Sequence, residues 1–208
     1  NPAFQLWPAM SKKAQNHLGL FAKFWQPGSV KTRLAVSIGD QKACDLYFAF
    51  LSHLIRKLQA VGTDRQLVYS PPERETGFQE IIPDSWGLYP QSGGCLGTRM
   101  HSFFSDQFEL AKRREERVSK VVIIGADCPQ IKPAAVEQAF AGLDQSPEAI
   151  GPSVDGGYYS LGMRETCFNI SLKLVFFILY ISQIDIFSFL YYTHHGTSHQ
   201  TLPIPNHL

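Results

Sequence analysis

The chain has 208 residues, enough for one domain with its own core and no need of disulfide or metal staples. Hydrophobic residues make up 44%, aromatics 12% and charged residues 18%, which excludes an intrinsically disordered chain. Nineteen Lys and Arg against eighteen Asp and Glu leave a net charge of +1. No basic field therefore points to nucleic acid or an anionic membrane, and a substrate must be met at a local site.

Residues 1–16 read as an N-terminal extension without the apolar core or cleavage site of a signal peptide; Met10 is a candidate start. His17–Lys23 is a short apolar run ending in a cation and followed by Gln26-Pro27-Gly28-Ser29, which predicts a buried strand delivering a loop. Asp40 is the expected N-cap of a helix to about Ala60, because Ala43, Tyr47, Phe50, Leu51, Leu54 and Leu58 recur at helical spacing. Gly62 would stop it. Gln66–Ser70, before Pro71-Pro72, predicts a second strand. Residues 96–116 predict a helix with Met100, Phe103, Phe104, Phe108 and Ala111 on its apolar face. Lys120–Asp127 is β-branched and apolar on both faces, the pattern of a central parallel strand. Pro133–Leu143 predicts another helix, and residues 149–163 begin and end as strand around a glycine turn.

This alternation predicts an α/β domain with a mostly parallel sheet covered on both faces. Ligands in such sheets bind beyond the carboxyl ends of the strands, where Lys23, Ser70 and Asp127 all fall, so these three should converge on one crevice. The four cysteines, Cys44, Cys95, Cys128 and Cys167, are scattered and form no CxxC pair, which points to a reducing cytoplasm.

Four stretches carry chemistry. In FAKFWQPGSVKTRL (21–34), Lys23, Lys31 and Arg33 surround a Pro-Gly turn, and Gly28 allows the backbone to turn tightly enough for its N–H groups to face an anion. Arg33 can grip phosphate with two parallel hydrogen bonds while the lysines add point charges. Neither the P-loop pattern nor GxGxxG is present. In IIGADCP (123–129), Asp127 ends the central strand, where a buried carboxylate would need a compensating cation; it is placed to hold Mg²⁺ or Mn²⁺. Cys128 reads as packing. In GPSVDGGYYSLG (151–162), Asp155 sits on a turn as a second acid for the same metal, although Asp-Gly is also a common hairpin signal. In QSGGCLGTRM (91–100), Gly94 belongs to a glycine-rich turn entering a helix, with Arg99 one turn in.

Taken in order, FAKxxxPGxVKTRL, QxGGxLGxRM, IIGxDCP and GPxxDGGYY resemble the bacterial GT-A-like transferases called the radical-SAM/selenodomain-associated transferase 1 family, glycosyltransferases of arsenosugar-biosynthesis type. More distantly the chain is similar to molybdenum-cofactor and phospholactate guanylyltransferases. The resemblance covers about residues 17–164. It implies a three-layer nucleotide-diphospho-sugar transferase sandwich and a cytoplasmic, metal-dependent glycosyltransferase using a nucleotide-sugar donor and a small-molecule acceptor. A nucleotidyltransferase using a nucleoside triphosphate on a phosphorylated acceptor, and a nucleotide-binding protein without turnover, are the alternatives. The resemblance further implies that Lys23, Gly28, Lys31 and Arg33 form the phosphate loop, that Gly94 and Arg99 add to nucleotide binding, and that Asp127 and Asp155 are the catalytic and metal-binding acids. Trp25 stands where the family has proline, and Cys95 where it has aspartate.

Composition breaks near residue 165. Only Glu165, Lys173 and Asp185, of the chain's 37 charged residues, lie in 165–208. The apolar run 174–192 is interrupted by Gln183 and Asp185, short of the ~18–20 residues a membrane helix needs. This argues against a membrane. The segment, whose His194, His195 and His199 make only a weak metal pattern, reads as a hydrophobic tail foreign to the domain, frameshifted or truncated.

Overall fold

Val121, Val122, Ile123 and Ile124 are buried whichever face they point to, so this run becomes an interior strand. The structure, a computed structural model, describes residues 15–62, 64–113, 118–153 and 157–164. Six strands form one sheet: β1 (Gln15–Lys23), β2 (Asp64–Ser70), β3 (Gly87–Pro90), β4 (Val118–Gly125), β5 (Glu148–Pro152) and β6 (Tyr158–Arg164). Their order is β3-β2-β1-β4-β6-β5. β1 to β4 run parallel, while β6 lies antiparallel between β4 and β5.

The helices are α1 (Thr32–Ile38), α2 (Asp40–Lys57), α3 (Glu75–Gln79), α4 (Leu96–Arg113) and α5 (Pro133–Gln145). Strand alternation sorts the core into two layers. On one face Leu18, Leu20 and Ala22 of β1 meet Tyr47 and Leu51 of α2, in a cluster that also takes in Phe140 and Leu143 of α5. On the other, Phe21, Val68 and Ile123 pack on Met100, Phe103, Phe104 and Phe108 of α4. Helices thus cover both faces of the sheet, making three layers. Gly19 makes that second layer possible: a Cβ there would lie 2.6 Å from a carbon of the Phe103 ring.

The predicted strands and helices are present, with corrections at their ends. Gly39, at φ 87°, is the N-cap of α2, so Asp40 is its first residue and not the cap. Gly62, also at positive φ, comes after α2 has ended at Lys57. Phe50 is only partly buried. α1, α3 and β3 had no sequence signal. α1 buries Ala35 alone and leaves Val36 89% exposed, so it carries no apolar period to read. Among the described residues, no helix is long and apolar enough to cross a membrane. The run 174–192 and the histidines of the tail lie outside the described residues.

Candidate active site

Because β1, β2 and β4 are parallel, their carboxyl ends open onto the same edge of the sheet. Lys23 pairs in register with Ser70, and Phe24 N–H donates to the Ser70 carbonyl at 2.7 Å. Beyond β4, Ala126 N–H donates to the Phe21 carbonyl at 3.0 Å, which brings Asp127 to that edge. Lys23, Ser70 and Asp127 therefore converge as expected.

The phosphate-loop candidate is a set of nested turns. Ser29 N–H closes a turn on the Gln26 carbonyl at 2.9 Å, with Gly28 at φ 76° in its third position, where a side chain would be strained. Lys31 is the one non-glycine residue with positive φ among the described residues. It heads α1 in the left-handed conformation, at a cost of about 1 kcal/mol. Its ammonium reaches Asp127, bonding Oδ1 at 2.9 Å and the main-chain carbonyl at 3.2 Å, and lies 5.5 Å from the centre of the Phe50 ring. Asp127 is 75% exposed. It sits two residues beyond β4, so the expectation of a buried strand-end carboxylate is corrected: the loop between strand and helix carries it into solvent. Lys31 is the compensating cation.

Lys23 and Arg33 are exposed, and neither side chain takes a partner among the described residues. Lys23 is anchored through its backbone, whose N–H donates to the Tyr47 hydroxyl at 2.9 Å. Burial pushes that phenol well above its usual range, so Tyr47 stays a neutral hydroxyl. Trp25 stacks on Phe24 at 4.5 Å between ring centres and meets Phe48 of α2 at 4.8 Å and Phe78 of α3 at 5.4 Å. Where the resemblance predicts proline, rigidity comes from aromatic packing instead.

The glycine-rich turn lies beside Ser70. Gly94 has φ 95°, and its carbonyl accepts from Arg99 Nε at 2.9 Å. Arg99 Nη1 reaches Ser70 Oγ at 3.4 Å and Gln91 Oε1 at 3.3 Å. Sequence reasoning gave Gln91 only as the first residue of the QxGGxLGxRM stretch and Tyr47 only as part of an apolar stripe; neither received a role, because their polar contacts form only on folding. Cys95 is exposed, with Sγ 3.3 Å from Thr98 Oγ1; that bond, first, holds its thiol below the ordinary range. Cys128 Sγ lies 3.8 Å from Gln130 Oε1. Asp155 lies outside the described residues. Ser153 N–H donates to the Gly157 carbonyl at 2.9 Å, and β6 pairs antiparallel with β4, Ser160 lying opposite Ile124. No group of three or more His, Cys, Asp or Glu that could hold a metal occurs among the described residues.

A six-stranded, mostly parallel sheet with cationic loops at its carboxyl edge defines an α/β protein of the GT-A-like class, the fold of nucleotide-diphospho-sugar transferases. The chain belongs to the DUF2064 family, described as uncharacterized proteins conserved in bacteria, whose profile matches residues 54–175. Comparison with proteins of curated function gives no match. Among solved structures it is similar to a "putative nucleotide-diphospho-sugar transferase" from Desulfovibrio desulfuricans G20. The identity is 30% and the TM-score 0.66, over 73% of this chain and 64% of that one. This chain thus spans less than two thirds of that protein's length. It also resembles a cytidylyltransferase from Leptospira borgpetersenii, at 11% identity and TM-score 0.51 over 82% of this chain and 72% of that one. Rv0371c from Mycobacterium tuberculosis H37Rv matches at 14% identity and TM-score 0.50, over 80% and 82%. These two likenesses concern the fold alone.

Proposed function

We propose that this chain is a nucleotide-dependent transferase, and within that class a cytoplasmic, metal-dependent glycosyltransferase that uses a nucleotide-sugar donor and a small-molecule acceptor. The finer kinship, with the radical-SAM/selenodomain-associated transferases of arsenosugar-biosynthesis type, belongs to the same proposal and rests on the four ordered motifs. The observation that carries the reading is the charge pattern at the carboxyl edge. Lys23 and Arg33 stand exposed and without side-chain partners among the described residues, at the edge that also carries the exposed Asp127 held by Lys31. Two exposed cations unpaired among the described residues support the reading, because a diphosphate is the kind of anion such groups bind. The 30% identity to the Desulfovibrio protein supports the same class.

Asp127 suits Mg²⁺ or Mn²⁺. Such ions are commonly held by one or two carboxylates with the remaining positions filled by phosphate oxygens and water. Lys31 pairs with Oδ1 at 2.9 Å, and the carboxylate, 75% exposed, would still be open to an ion. Asp155 would be the second acid. When bound, the ion supplies positive charge against the departing nucleoside diphosphate. The chain's own groups act beside it: Lys23 and Arg33 hold the phosphates, Lys31 orients Asp127, and Gly28 lets the loop backbone approach the ligand. Arg99, with the Gly94 turn, faces the rest of the nucleotide. Together these charges are arranged to favour the leaving group more as its negative charge grows.

The test is calorimetric titration of the full chain with UDP, GDP and CDP, with and without Mn²⁺, followed by product analysis with the sugar-linked forms. Metal-dependent binding and sugar transfer are expected. Pyrophosphate release from a nucleoside triphosphate plus acceptor would make the chain a nucleotidyltransferase instead. Tight binding without turnover would make it a nucleotide-binding protein.

A further inference from the structure

Gln91 follows β3 immediately and is buried, with 8% of its surface exposed. Its backbone N–H extends the β2–β3 ladder by one bond, donating to the Tyr69 carbonyl at 2.8 Å. Its side-chain nitrogen carries two hydrogens, and both are engaged. One goes to the Val68 carbonyl at 2.7 Å and the other to the Ala22 carbonyl at 3.2 Å. These acceptors sit near the ends of β2 and β1. They also decide which way the amide points, because reversing it would set an oxygen against two oxygens.

The amide oxygen is thereby turned to Arg99. Nη1 of that guanidinium donates to Gln91 Oε1 and to Ser70 Oγ, while Nε donates to the Gly94 carbonyl. The single hydrogen on Nε and both on Nη1 are then used. Nη2 keeps two donors that take no partner among the described residues. An arginine on a free stem would have to surrender several rotamers on binding a ligand. This one is already pinned at three of its five N–H bonds.

We infer that Gln91 is a positioning residue: it ties the ends of β1 and β2 together and from them holds Arg99 with Nη2 open beside Ser70, for an anionic group of the nucleotide. The identity of that ligand rests on the proposed function; the orientation of Arg99 does not. The Gln91 side chain joins the ends of β1 and β2 to Arg99, which itself reaches the glycine-rich turn, so loss of Gln91 should free Arg99 without moving the cationic loop.

Two measurements on the full chain separate these levels. In titrations of UDP, GDP and CDP with Mn²⁺, Arg99→Ala should weaken binding about tenfold, the loss expected for a charge-assisted hydrogen bond. Gln91→Met, which keeps length and removes every polar atom, should weaken it by a similar factor. The double variant should bind no more weakly than Arg99→Ala, because Gln91 acts through Arg99. A folded Gln91→Met protein with wild-type affinity, or losses that multiply in the double variant, would overturn the inference. Gln91→Asn, too short to bridge to Arg99, carries the same expectations and guards against a variant that fails to fold. The second measurement is the ¹⁵N–¹H signal of Arg99 Nε without ligand, identified by its absence from Arg99→Ala. Protection from solvent exchange should collapse in Gln91→Met; persistence refutes positioning. Should the wild type bind none of the three nucleotides while that protection is still lost, the nucleotide reading fails and the positioning role stands.

Discussion

Replacing Asp127 with alanine should separate function from stability, because its partner Lys31 is not stranded by the change. The Lys31–Asp127 pair is solvent-facing on the acid's side, at 75% exposure against 22% for Lys31. An ion pair of that kind contributes about 1 kcal/mol at most. Alanine keeps the main-chain carbonyl that accepts from Lys31 at 3.2 Å, and the Phe50 ring remains beneath the ammonium. The lysine therefore retains partners, and no buried charge is left alone. For a chain of this length, 1 kcal/mol moves Tm by roughly 2–4 °C. Under the proposed function the effect on binding should be far larger, since the ion would lose a ligand: the Mn²⁺-dependent part of nucleotide affinity should fall by about a hundredfold. Thermal melts and calorimetric titrations of UDP, GDP and CDP, each with and without Mn²⁺, measure both quantities on the same preparations. Unchanged affinity would remove Asp127 from the site. A fall in Tm beyond about 10 °C would show that the carboxylate supports the fold, and the reasoning from exposure would be wrong.

Gly19→Ala should destabilise the protein by about 1–3 kcal/mol, because the new methyl would overlap the Phe103 ring from α4; a denaturation midpoint equal to wild type would contradict this packing. Cys95 should alkylate with iodoacetamide well before Cys44. The first is exposed with its thiol held low by Thr98, whereas burial pushes the second up; equal rates would refute the assignment. At the opposite edge of the sheet, the hydrogen bond from His17 holds the Asp64 carboxyl below its ordinary value of 3.8. Its stabilising contribution should be complete above that value and vanish as pH falls through the lower folded one, a loss absent from Asp64→Asn. Denaturant melts of both proteins between pH 5 and about pH 3 would reveal it, and parallel pH profiles would exclude it.

Segments with strong apolar periodicity were legible before folding. The runs of β1, β2 and β4 and the stripes of α2, α4 and α5 each bury one face or both, and burial leaves its period in the residues. The convergence of Lys23, Ser70 and Asp127 followed from the same pattern, since parallel strands share a carboxyl edge. β3, α1 and α3 were not legible. They are short, and α1 buries little beyond Ala35, so other parts of the chain hold them in place. Asp127 was legible as a residue of the carboxyl edge and misread as buried. Its exposure depends on where β4 stops pairing, and pairing is a property of its neighbours.

By itself the sequence determined the α/β class, the interior character of Val121–Ile124 and the cluster of cations around Pro27-Gly28, because local composition and period carry that information. The tertiary structure alone decided the rest. β6 runs antiparallel between β4 and β5, Lys31 reaches an acid 96 positions away, and Gln91 joins two strand ends to Arg99. Each of these is a contact between residues far apart in the chain. Its energy exists only once the sheet has brought them within hydrogen-bonding distance, and nothing in the local pattern records it.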